Sequence, residues 1–275
     1  MLKYTFLFIL FAFGNSTPAS AQADRDRVLK LLDLVEFTDS LADVQSGVID
    51  MVRNGQIEAG SDYALRWEAA AQSHFDQTVI LDATVEQLGM AVTNAELDAL
   101  IAIYSTEFAI RISKLELQVQ LETKTEQRLA EGAEIAKSLG QSNPARLESY
   151  MRMLDIIGAV DAGVSTIMNM QHSFLTGASA SGLTDIPLSQ EQILAFIGAQ
   201  TEEIRALVSD HVIATTAFTY RSLSDRDMVA YVDLLSTPDV VRFYTLLNRI
   251  SGEIMADEFG RFAVAIGEQP AQQEL

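Results

Sequence analysis

The sequence predicts an all-α protein: a helical bundle built from two repeated three-helix units, preceded by a signal peptide. Three observations predict it. Apolar residues recur at three- and four-residue steps along most of the chain, and no stretch shows the two-residue alternation of a half-buried strand. A helix-start motif, Thr93-Asn94-Ala95-Glu96-Leu97 followed by Tyr104-Ser105-Thr106 and Arg111, returns 131 residues later. The second copy is Ser224-Asp225-Arg226-Asp227-Met228, with Ser236-Thr237-Pro238 and Arg242 in the matching places. The first 23 residues have the three-part composition of an export signal.

In that signal, Lys3 is the positive end, and Tyr4 to Phe13 is an apolar run of ten residues interrupted by Thr5. A bilayer span needs about 20 apolar residues, so the run is too short to be a transmembrane anchor. Gly14, Asn15 and Pro18 break it before Ala19-Ser20-Ala21 and Ala21-Gln22-Ala23, two overlapping small-x-small sites. Cleavage after Ala21 or after Ala23, with delivery to the periplasm, is the expectation. The chain has no cysteine, which excludes a lipid-modified N-terminus, disulfides, thiolate metal sites and cysteine nucleophiles. An exported chain without disulfides is stable on its core alone; 48% hydrophobic residues supply one. Lys and Arg number 19 against 38 Asp and Glu, a net charge of -19. With no cluster of basic residues, nucleic acid and anionic lipid are poor partners, whereas a cationic partner is compatible.

The first repeat is placed at residues 24–140. A helix opens at Asp24 and carries two apolar stripes: Val28, Leu31, Leu32 and Val35, then Leu34, Phe37, Leu41, Val44, Val48 and Met51. Two stripes mean two neighbours, as in a bundle. Asn54-Gly55 and Gly60-Ser61 mark a loop. A second helix spans Ser61 to about Met90, with Trp67, Ala70, Ala71, His74, Leu81, Val85 and Leu88 at helical steps. Thr93 and Glu96 form a capping-box pattern at the start of the third. Its stripe runs through Leu97, Leu100, Ile101, Tyr104, Phe108, Ile112 and Leu115, and the charged stretch Glu116–Lys137 continues helical.

Gly140 to Pro144 separates the halves, and the second repeat is placed at 145–267, with 268–275 a polar tail. Leu154-Asp155-Ile156-Ile157 matches Leu32-Asp33-Leu34-Val35 at an offset of 122, against 131 for the motif, so the second copy holds nine extra residues. The Gly-, Ser- and Ala-rich stretch Thr176–Pro187 is the expected site of that insertion, as a loop. Ser189-x-x-Gln192 starts the fifth helix, whose stripe includes Ile193, Phe196, Ile197, Ile204, Leu207, Val208, His211 and Phe218. Ser224-x-x-Asp227 starts the sixth.

Thr237-Pro238 breaks the sixth helix into two segments, because proline suits the first position of a helix and costs about 3 kcal/mol inside one. By the repeat, Thr106 caps a similar bend at Glu107, whose charge suits a positive helix end. The motif resembles a family of bacterial envelope proteins, domain-of-unknown-function family 2059. Its pattern is Leu-Thr-x-x-Glu-Leu followed by Phe-Tyr-x-Ser/Thr-Pro-x-Gly-x-Lys. Here the first copy has Val92-Thr93-x-x-Glu96-Leu97 and Ile103-Tyr104-Ser105-Thr106 to Arg111; the second keeps Thr237-Pro238 and Arg242. Neither copy keeps the glycine. The resemblance covers about 60 residues of each half. It implies an exported helical module and brings no known reaction.

No catalytic, cofactor or metal site is legible. A di-iron carboxylate bundle needs Glu three residues before His, and His74, His172 and His211 are preceded there by Ala71, Asn169 and Val208. No His pair has zincin spacing. Gly177-Ala178-Ser179-Ala180-Ser181 only half resembles a nucleophile elbow, since no strand precedes it. Adjacent acids such as Glu202-Glu203 point in different directions from a helix. The expected structural residues are therefore the motif positions Thr93, Glu96, Tyr104, Ser105, Thr106, Arg111, Ser224, Asp227, Thr237, Pro238 and Arg242. Arg111 and Arg242 are expected in ion pairs and Tyr104 at a helix corner. The functional expectation is a non-enzymatic module that binds an envelope protein or another ligand in a groove between the halves. The alternatives are a carrier of an apolar small molecule, lined by Met and Phe, and a hydrolase using His74 or His211.

Overall fold

Helix caps set the architecture. The computed structural model describes residues 23–53, 58, 60–183 and 187–267, and among these there are fourteen helical segments and no strand. The expected signal peptide and the expected tail 268–275 lie outside the described residues, apart from Ala23.

The expected helices are present, but most are divided. The first becomes α1 (Arg25–Leu34), α2 (Phe37–Ser40) and α3 (Ala42–Arg53). The break falls at Glu36, whose φ of 54° is left-handed, a conformation few side chains adopt without cost. The second becomes α4 (Asp62–His74) and α5 (Gln77–Ala91), because the Asp76 carboxylate accepts the Thr78 N–H and begins a new helix. Its stripe of Trp67, Ala71, Val85 and Leu88 is buried as its spacing predicts. The third becomes α6 (Asn94–Tyr104), α7 (Glu107–Glu122) and α8 (Thr125–Ser142). The first bend is the one expected at Thr106; the second, at Thr123-Lys124, lies inside the charged stretch predicted to run on.

The second half follows the same order. Asn143 caps α9 (Pro144–Ile156), with Pro144 in the first turn, and α10 runs Ala159–Ala180. Between them Gly158 is left-handed at φ 64°, in the position equivalent to Glu36 at the 122 offset. The fifth expected helix is divided into α11 (Gln190–Gly198) and α12 (Thr201–Thr219), and the sixth into α13 (Asp225–Leu235) and α14 (Pro238–Gly267). The boundaries of α13 and the start of α14 follow those of α6 and α7 at the 131 offset. Packing partners also correspond: α1 lies against α5 and α6, α9 against α12 and α13, α3 against α4, and α10 against α11.

Two expectations are corrected. Gly177 to Ala180 is helix, the last turn of α10, and not a loop. A Cβ on Gly177 would sit 2.4 Å from the Gly260 carbonyl oxygen, so glycine here serves the close approach of α10 to α14. The nine extra residues accordingly lie elsewhere. Most are accounted for by α12, 19 residues against 15 in α5, and by the connection Tyr220–Ser224 that follows it.

One core joins the halves. Leu31, Leu32, Leu88, Leu97 and Ile112 from the first pack in one cluster with Tyr150, Met228, Phe243 and Ile250 from the second. A separate aromatic cluster holds α4 to α14: Trp67 packs edge-on to Phe262, with ring centroids 4.7 Å apart, and donates its Nε1–H to the Val48 carbonyl. Among the described residues no single helix is long and apolar enough to cross a membrane; the pair α9 and α10, bent by 49°, reaches that length and composition only together.

Candidate functional site

The motif residues are built at the contact between the halves. Thr93 accepts the Glu96 N–H while the Glu96 carboxylate accepts the Thr93 N–H, a complete capping box. Ser224 accepts the Asp227 N–H, and the shorter Asp227 returns no such bond. Ser105 and Ser236 close α6 and α13. Thr106 accepts the Ala109 N–H and donates to the Ile103 carbonyl, making the first-copy bend without proline. Thr237 donates to Leu234 in the same way, ahead of Pro238.

The two arginines form ion pairs, and the pairs are reciprocal. Arg111 of the first half meets Asp227 of the second at 3.2 Å, and Arg242 of the second meets Glu96 of the first at 3.1 Å. Each arginine thus reaches the third residue of the other half's capped helix, as in a two-fold interface. The Thr93 hydrogen bonds, then Arg242, hold the Glu96 carboxyl below its usual range; Arg111 chiefly does the same for Asp227.

Concavities lie elsewhere. One, of about 550 Å³, is enclosed by α10, α12 and α14. Its wall is apolar through Ile157, Ala162, Ile167, Val208, Val212 and Met255, and it carries His211, Asn248 and the Tyr244 side chain. This apolar hollow belongs to the second half alone, whereas the two others described below are lined from both halves. A larger and more open hollow of about 720 Å³ lies where α4, α10 and α14 meet, lined by His74, His172, Asp257 and Arg261. There His74 pairs with the buried Glu258 carboxylate at 2.9 Å, and Arg261 holds the other carboxylate oxygen at 2.9 Å. His74 and His211 thus line different hollows, which removes any joint catalytic role. Among the described residues no group of three or more His, Cys, Asp or Glu is placed to hold a metal ion.

Sequence reasoning missed two sites. Glu116, read as the start of a charged helical stretch, turns inward from α7, where its Oε1 accepts the Tyr231 hydroxyl at 2.8 Å and also that of Tyr220. Burial pushes its carboxyl up, against the two phenol hydrogen bonds that lower it. Burial likewise raises Tyr220 and Tyr231, and Tyr244 is pushed up to about 12. The Tyr104 hydroxyl does not serve the helix corner. It lies in the core beside that of Tyr244, without a well-aligned hydrogen bond, and its ring packs edge-on to Phe243.

The second is Arg146, buried in α9. It donates to the Tyr150 hydroxyl, to Asp225 at 3.0 Å, and to the carbonyls of Tyr220 and Leu223. Its position next to Asn143-Pro144 is the one sequence signal available, and its partners are 74 or more residues away for all but Tyr150. Comparison with protein-family models, characterised proteins and solved structures yields no match.

Proposed function

We propose that this is an exported, periplasmic, non-enzymatic helical module that takes an apolar ligand between α10, α12 and α14. The observation that carries the reading is the hollow of about 550 Å³, a volume in the range of small-molecule sites, with an apolar wall and a few polar groups. Export rests on the composition of residues 1–23 and on the resemblance to the envelope family. Ala23 is buried, and its N–H bonds the Gly89 carbonyl at 2.9 Å, which favours cleavage after Ala21 over cleavage after Ala23. The intact mass of the secreted chain tests that choice.

Titration with the neutral fluorophore N-phenyl-1-naphthylamine tests the site. Saturable enhancement is expected, and Ala162→Trp, which fills the hollow, is expected to abolish it. Absence of enhancement with the unaltered protein would sink the reading. A partner protein is the second reading, and it is favoured by the exposure of Leu194, Phe196 and Leu207, at 55%, 59% and 67%, on α11 and α12. Recovery of one stoichiometric envelope partner, lost with Phe196→Ser, would favour it.

A further inference from the structure

A third hollow, of about 230 Å³, lies between α7, α8 and α12, apart from the apolar one. It is lined by Glu116, Val119, Gln120, Arg128, Thr215, Thr216, Thr219 and Tyr220. We infer that it is a binding site for a small aliphatic primary ammonium ion, anchored on the Glu116 carboxylate.

Five features converge on a cation. The carboxylate is part-buried, and among the described residues the charge that acts on it is another anion, Glu36. A buried charge without a counter-ion is costly, and an incoming cation offsets that cost. Both phenol hydrogen bonds reach Oε1, so neither occupies Oε2, and Glu116 lines the hollow. Thr216 and Thr219 are more than nine-tenths buried yet line the hollow, and their hydroxyls make no hydrogen bond within the described residues. An ammonium group has three N–H donors to match such oxygens.

The remaining two features are electrostatic and shape-based. Thr216 and Thr219 come from the last turn of α12, so the negative end of that helix lies at the hollow, while the end of α7 is met by Arg128. Arg128 does not fill the role of the cation. Its guanidinium is committed to the carbonyls of Val119, Gln120 and Thr123 and to the Thr125 hydroxyl. The Tyr220 ring, which packs against that of Tyr231 at 5.7 Å between centroids, lines the hollow and gives the methylene groups beside an ammonium an aromatic wall. A metal ion is the poorer fit, since a single carboxylate with hydroxyls lacks the ligand charge that such a site needs. The net charge of -19 draws cations to the protein as a whole.

Binding favours the ionised carboxylate, so affinity rises with pH through the raised range of Glu116. The groups facing it are Glu36 ahead of α2, Tyr104 on α6, Tyr220 at the end of α12, Tyr231 on α13 and Tyr244 on α14, with Arg128 on α8 in the same wall. Calorimetric titration of the full chain with n-butylammonium, at low salt and at two pH values, is the test. Saturable 1:1 binding is expected, weakened at least tenfold by Glu116→Gln and strengthened at the higher pH. Thr215→Tyr, which fills the hollow from its lining and leaves Glu116 in place, is expected to abolish binding even where Glu116→Gln folds poorly. No saturable heat with the unaltered protein, or equal affinity in Glu116→Gln, overturns the inference. Equal binding of potassium ions would overturn the ligand class. The apolar fluorophore titration is independent, so failure at one hollow leaves the other to be judged alone.

Discussion

The α6–α7 and α13–α14 segments begin alike and end differently. Both start on a capped turn, bend after a threonine, and send an arginine to the other half. Beyond the bend they diverge. Helix α7 stops at Glu122, gives way to α8, and carries Glu116 into the core, whereas α14 continues to Gly267 beside α10. At the position equivalent to Glu116, α14 has Leu247. The shared beginning builds the scaffold, and the two hollows proposed to bind ligands lie along the parts that are not shared.

The largest expected effect strikes Arg146, a buried cation at the junction. Arg146→Met leaves the Tyr220 and Leu223 carbonyls and the Tyr150 hydroxyl without their donor, and is expected to cost about 3 kcal/mol. Chemical denaturation checks it. The glycine contacts come next. Gly132→Ala places a Cβ 2.0 Å from the Ala214 carbonyl oxygen and Gly177→Ala places one 2.4 Å from that of Gly260. Each is expected to cost about 2 kcal/mol, the first by parting α8 from α12 and the second by parting α10 from α14. Equal loss of fluorophore binding in both would erase the distinction drawn between the two ends.

Stability against pH separates the segments further. The Glu116 carboxyl is raised on folding, so the folded chain holds its proton more tightly than the unfolded chain. Stability is therefore present at acid pH and is lost as pH rises from the ordinary glutamate range through the raised one. Thermal melts of Glu116→Gln are expected to lack that decline. Glu96 has the opposite sign: its carboxyl is lowered, and its contribution is lost as pH falls through the lowered range.

The smallest effects belong to the shared beginning. Thr93→Ala is expected to cost about 1 kcal/mol, and more than Ser224→Ala, because only Thr93 sits in a complete capping box. Arg242→Gln removes a half-exposed ion pair, expected to be worth less than about 1 kcal/mol, and a bond to the Ala91 carbonyl. Arg111→Gln, which lacks such a second bond, is expected to weaken the fold less. A larger loss for Arg111 would break the ordering.

The fold was legible where local chemistry decides it. Thr93, Thr106, Ser189 and Ser224 all cap helices as their spacing predicts, since a hydroxyl two or three residues from a free N–H needs no distant partner. Gly177 was misjudged because local propensity speaks against helix there, while the partner that requires glycine, Gly260, is 83 residues away. The breaks at Glu36 and at Ala199-Gln200 carry neither proline nor a strong cap and are settled by packing. Glu116 was illegible for the same reason. Nothing beside it in sequence, between Leu115 and Leu117, marks it out, and its partners arrive from the end of α12 and from α13, more than 100 residues on.

The reciprocal pairs have one more consequence. A surface that recognises its own equivalent normally joins two separate molecules, and each then changes in step with the other. Here the two surfaces share one chain, so dilution does not part them; their encounter is intramolecular. A substitution in a symmetric dimer is felt twice, but in this chain it is felt once. Each half is thereby free to vary on its own, and an acid in the core of one half is tolerated because no second copy of it follows.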